Sequence, residues 1–177
     1  EKWFAPIPAG EKYIRNLPVE PKQTAARSNT VRANVPLDAL YKCWHIYPRT
    51  DMRYYTADLI TEILSGGGSS RLFQALVKEK QLFSNIDCYH LGSTDAGLLT
   101  ISGKLIKGVK MEDAEAAVNE ELIKLQQDGI SQRELDKVIN KTESMIAFED
   151  MSVTNRAASL AMYELMGDAD LINKELD

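Results

Sequence analysis

The chain has 177 residues, 44% of them hydrophobic and 27% charged, with a net charge of -5 at neutral pH. That length fits one domain with a real core, and the acidic balance argues against nucleic acid, whose binding needs Lys and Arg against phosphates. No apolar run approaches the roughly 20 residues of a membrane-spanning helix, and two cysteines do not make a disulfide scaffold. The chain opens at Glu1 with no initiator Met and no signal-like apolar stretch. It is therefore expected to be a soluble piece of something longer, without the targeting segment that would reveal its compartment.

Four of the six prolines, Pro6, Pro8, Pro18 and Pro21, precede Arg27. Proline fixes φ and removes a backbone donor, so residues 1–27 read as an extended linker or edge segment, and 28–177 as the domain. From Thr30 the pattern alternates, with Val31, Ala33 and Val35 on one side, which predicts a strand closed by Pro36. A second strand is predicted over about Ala39–Tyr47, with Leu40, Trp44 and Ile46 on one face and Tyr41, Cys43, His45 and Tyr47 on the other. Thr50 or Asp51 then caps a helix carrying Tyr55, Leu59, Ile60, Ile63 and Leu64. Gly66, Gly67 and Gly68 stop it, and Ser69 or Ser70 caps the next helix, with Leu72, Phe73, Leu76 and Val77.

The period returns to two at Phe83 and holds through His90; a turn over Gly92–Gly97 leads into Leu98–Ile106, completing a hairpin. The final third reads as helical. Ala114, Val118, Leu122 and Leu125 form one stripe ended by Asp128-Gly129, and Ser131 with Glu134 makes a capping box before Leu135, Val138, Ile139, Thr142, Met145 and Ile146. A last helix runs from about Thr154 to Met166 and stops at Gly167. Four strands and these helices predict an α+β domain, a mostly antiparallel sheet with helices packed on one face.

Few residues invite chemistry. Gly66-Gly67-Gly68-Ser69-Ser70 follows a helix and lacks the Gly-Lys-Ser/Thr of a phosphate loop, so a helix stop plus an N-cap accounts for it. Cys43-Trp44-His45 and Cys88-Tyr89-His90 each put a thiol and an imidazole on one strand face. Adjacent strands in matching register would make a Cys₂His₂ zinc site of them; free Cys, however, is commonly buried, and no metal ligand is expected. There is no G-x-S-x-G elbow, and neither cysteine has a nucleophile signature, so no catalytic residue is assigned.

Five short stretches in order carry a family resemblance. Trp3-Phe4-Ala5-Pro6-Ile7-Pro8-Ala9-Gly10, Ile63-Leu64-Ser65-Gly66-Gly67, Ser69-Ser70-Arg71-Leu72-Phe73, Asp95-Ala96-Gly97-Leu98 and Arg156-Ala157 to Gly167-Asp168 resemble segments of the pitrilysin and insulinase-like zinc peptidases, which include the mitochondrial processing peptidase. Members of that superfamily hold zinc on an inverted H-x-x-E-H helix, and a chain whose only histidines are His45 and His90 cannot contain one.

The resemblance therefore implies the non-catalytic C-terminal half of such an enzyme, forming part of the wall of a peptide-degrading chamber. Zinc would then sit in a catalytic partner domain, upstream or on another subunit, and not on this chain. The family's substrate-anchoring Arg and Tyr fall at Val77 and Ser84, with Lys78 one position off, so that anchoring is not expected here. The chamber-lining residues expected instead are Ser84, Ile86, Cys88 and His90, together with Cys43 and His45; Gly66, Gly67, Ser69, Ser70 and Arg71 form the structural motif. Arg71, in a helix's first turn where the dipole disfavours a cation, is expected to be held by a carboxylate or by carbonyls. The alternative is an interaction or assembly module of the same fold without a proteolytic role.

Overall fold

The structure is a computed structural model and describes residues 5–8, 10, 11, 16, 18, 20–92 and 94–174. The chain divides into two units, Glu1–Asn34 and Val35–Asp177. The first contains no helix or strand among its described residues. The strand predicted over Thr30–Val35 is accordingly absent: these residues are exposed on both sides of the alternation and lie in no ladder. Alternation describes how a strand would divide its side chains; without a neighbour to take its backbone hydrogen bonds, it makes none. The Trp3 to Gly10 stretch of the resemblance lies partly outside the described residues.

Among its described residues the second unit has three strands where four were expected: β1 (Ala39–Ile46), β2 (Phe83–Leu91) and β3 (Gly97–Leu105). They form one antiparallel sheet in the order β1-β3-β2. β2 and β3 make the predicted hairpin, and β1 lies along the other side of β3, with Lys42 opposite Ile101 and Trp44 opposite Leu99. In β2 the register slips between Phe83 and Asn85. This bulge turns Phe83 to the same side as Ile86, whereas strict alternation from Tyr89 and Leu91 places it on the other. Gly103, opposite Ile86, supplies the space: a Cβ there would lie 2.6 Å from Phe83 Cδ1.

Helices cover one face of the sheet. α1 (Arg53–Ser65), a π-helical turn (Phe73–Glu79) and α2 (Met111–Asp128) bring Leu64, Leu72, Leu76, Ala114, Ala117 and Val118 onto Phe83, Ile86, Cys88, Ile101 and Leu105. Each large apolar side chain fully buried in this cluster contributes about 1.5–3 kcal/mol. α3 (Gln132–Asp150) and α4 (Val153–Met166) follow, then a 3₁₀ turn (Ala169–Lys174). The architecture is the expected α+β layer arrangement, an antiparallel sheet with helices on one side.

Local chemistry sets the helix ends. The Asp51 carboxylate accepts from the Arg53 N–H at 2.9 Å, one residue ahead of the helix boundary, and also holds the Arg53 guanidinium. Gly66 N–H closes α1 on Glu62 O, and Gly67 takes φ +111°, a conformation only glycine adopts cheaply. Ser70 is buried, but its hydroxyl donates back to Gly67 O at 2.6 Å and does not cap the next helix. The Ser131–Glu134 capping box forms in full: the Ser131 hydroxyl accepts from Glu134 N–H, and the Glu134 carboxylate accepts from Ser131 N–H.

Candidate functional site: the open face of the sheet

Directly paired residues of an antiparallel ladder share a face, so the register sorts every side chain. Leu40, Lys42, Trp44 and Ile46 of β1 stand with Leu99, Ile101, Gly103 and Leu105 of β3 and with Ile86, Cys88 and His90 of β2, toward the helices. The opposite face carries three rows across the sheet: His45–Leu98–Leu91, Cys43–Thr100–Tyr89 and Tyr41–Ser102–Asp87. The central strand offers the short Thr100 and Ser102, and the flanking strands offer the two tyrosines, so the open face is a shallow trough along β3. Tyr41 is 66% exposed, Leu91 62% and Tyr89 40%. Thr100 is buried between its neighbours, with its hydroxyl 3.6 Å from Cys43 Sγ.

The six chamber candidates named from sequence separate. Cys43 and His45 stand on the open face. Ile86 and Cys88 are 4% and 6% exposed, sealed under the helices, and burial pushes the Cys88 thiol up to about 12. His90 is turned to α1, where Nε2 lies 2.7 Å from Tyr54 Oη and 3.1 Å from Asp58 Oδ1. Ser84, exposed at the bulge, donates its hydroxyl to Lys104 O. Ile86, Cys88 and His90 thus share a strand face as expected, but it is the face against the helices. The two Cys-x-His pairs stand on opposite sides of the sheet, so they do not assemble a Cys₂His₂ site. Among the described residues, no group of three or more His, Cys, Asp or Glu is placed to hold a metal ion.

Sequence reasoning passed over Tyr41, Tyr89 and Leu91 as a surface. Their signal was the large exposed partner set of the core stripe, which becomes informative only when the pairing register is known. A second concavity, of ≈ 350 Å³, lies beside the end of β1, lined by Ile46, Ala57, Ile60 and Leu99. At its rim the Arg53 guanidinium stacks 3.5 Å from the Tyr47 ring centroid and pairs with Asp51, whose carboxyl it holds down at about 2.

The structural motif Gly66–Arg71 is a junction. Arg71 Nε donates to Glu134 Oε1 at 2.7 Å, and Nη2 donates to Glu134 Oε2 and to Gly129 O, both at 2.8 Å. Arg71 thereby fastens the start of one helix to the turn between α2 and α3. A planar fork on a carboxylate is the strong, directional form of such a pair.

The fold is an α+β layer domain, an antiparallel sheet with helices on one face, and among the described residues no cluster of ligands forms a metal centre. The chain belongs to the Peptidase M16 inactive domain family, whose profile matches residues 1–142. It is 33% identical over 93 residues to the uncharacterized zinc protease YmxG of Bacillus subtilis (strain 168), an overlap that spans 52% of this chain and 22% of that protein. Solved structures share the fold. A protease from Helicobacter pylori superposes with a TM-score of 0.72 at 22% identity, over 82% of this chain and 36% of that one. An inactive peptidase domain from Bordetella parapertussis gives 0.69 at 21% identity, over 78% and 75%. No helix of the described residues is long and apolar enough to cross a membrane.

Proposed function

We propose that this chain is the non-catalytic half of a zinc metallopeptidase and that the open face of its sheet forms part of the wall of a peptide-holding chamber. The observation that carries this reading is the bare face itself: helices cover one side, while Tyr41, Tyr89 and Leu91 stand exposed on the other. A trough floored by the small Ser102 and the buried Thr100, between exposed tyrosines, contacts an extended backbone without demanding one side-chain sequence. Cys43 and His45 belong to this wall. Zinc and the general base belong to a catalytic partner domain, in the same polypeptide or on another subunit, and the substrate is an unfolded or extended peptide.

The test uses this domain together with its catalytic partner and a fluorogenic peptide. Tyr41→Ala with Tyr89→Ala should raise KM several-fold with the fold intact by circular dichroism. Unchanged kinetics in a folded double variant would remove the open face from the substrate path. Cleavage of folded proteins as fast as short peptides would rule out the chamber. The alternative, an assembly module without proteolysis, predicts that neither the parent polypeptide nor any co-purifying subunit contains H-x-x-E-H.

A further inference from the structure

α3 and α4 stand apart from the rest of the second unit in what holds them. The buried core, with the partly buried side chains packed on it, draws on every element from β1 to α2 and ends at Leu125. Val138 is the one buried apolar side chain of α3, and Tyr163 the one buried residue of α4. Most of α4 is exposed along its length, with Val153 and Leu165 at 85% and 75%.

Around the buried Val138 and the half-buried Leu135 and Ile146, three polar contacts tie α3 to the rest of the unit. Glu134, Lys137 and Lys141 fall at helical spacing on one side of it. Glu134 takes Arg71, Lys137 Nζ donates to Ser69 Oγ at 2.8 Å, and Lys141 Nζ donates to Glu62 Oε2. The first contact sits at the turn, where Arg71 also grips Gly129 O, and Gly129 itself takes φ +70°. The other two lie outward along the helix and are more exposed, with the Lys141 side chain 41% accessible. On α4, Tyr163 meets Arg49, whose guanidinium carbon is 5.8 Å from its ring centroid.

We propose that α3 and α4 form a hinged arm that undocks from the core as one unit, pivoting at the Gly129–Ser131 turn where Arg71 pins it. The Lys141–Glu62 pair, between accessible charges, is screened by salt, whereas the apolar cluster beneath the sheet is not. Ionic strength therefore sets how often the arm opens and leaves the sheet untouched. Opening bares the Glu62–Ser69 edge of the core and frees α4 to move with α3. Segments with few buried apolar contacts are the ones that open locally below the global unfolding free energy.

Hydrogen exchange read by mass spectrometry on the 177-residue chain tests this. Between low salt and 1 M NaCl, where the screening length shrinks to about 3 Å, amides of α3 beyond Lys137 and of α4 should exchange at least about fivefold faster, together, relative to β3. Lys141→Glu should produce the same acceleration in low salt, and Glu62→Lys added to it should reverse that. Salt-independent exchange of the two helices, exchange in step with β3, or a Lys141→Glu variant indistinguishable from the parent would each overturn the proposal.

Discussion

Glu134 holds two jobs at once. Its carboxylate caps α3 through Ser131 and receives both guanidinium donors of Arg71. The Arg71 side chain first, then the Ser131 N–H and hydroxyl, hold its pKa down at about 2 against a partial desolvation that raises it. A carboxyl depressed in the folded state contributes stability that is present above its unfolded pKa and lost as pH falls through the folded one. Stability should therefore decline from about pH 4.5 toward pH 2, and Glu134→Gln should flatten that part of the urea-midpoint profile. An unchanged profile would deny the linkage. Arg71→Ala should cost about 1–3 kcal/mol, because it strips a part-buried carboxylate of its partner; a melting temperature equal to that of the parent would make Arg71 something other than a structural pin. The two thiols differ just as plainly. Cys43 should react with a disulfide reagent in the native chain, and Cys88, buried, only on unfolding.

At the scale of elements, the bulge in β2 and the glycine beneath it act together. Gly103→Ala pushes a methyl into the Phe83 ring in a fully buried setting and should destabilise by about 1–3 kcal/mol. A neutral outcome by chemical denaturation would mean the ring is free to yield. Most elements of the second unit were legible, because β1, the hairpin, α2, the capping box and α4 each carry period, cap and stop within a few residues. The bulge was not: one extra residue at Ser84 reverses the facing of Phe83, and no local pattern announces it. Thr30–Val35 misled for a related reason, since alternation specifies side-chain division and not the presence of a pairing neighbour. The candidate site was half legible. Cys43 and His45 were assigned to the face opposite the core, yet which side of β2 joins them depends on β3 lying between the two strands, and the chain order does not state that. The partner of Arg71 likewise lies 63 residues away.

At the scale of the molecule, membership of the Peptidase M16 inactive domain family fits a chain whose two histidines stand on opposite faces of a sheet. Zinc catalysis needs three protein ligands and an activated water. The purified chain should therefore not cleave a fluorogenic peptide when zinc is supplied; zinc-dependent turnover abolished by a chelator would overturn the inactive-half reading. The sheet also has a practical consequence. β3 is paired on both sides, so β1 and β2 each present one edge that no described strand occupies, and β1 adds the protruding Tyr41 ring to its bare face. Free strand edges beside apolar rings are templates for stacking chain upon chain. Concentrated solutions of the isolated chain should scatter light and form oligomers that Tyr41→Lys suppresses, so the same surface proposed to greet a peptide governs how the protein behaves in storage.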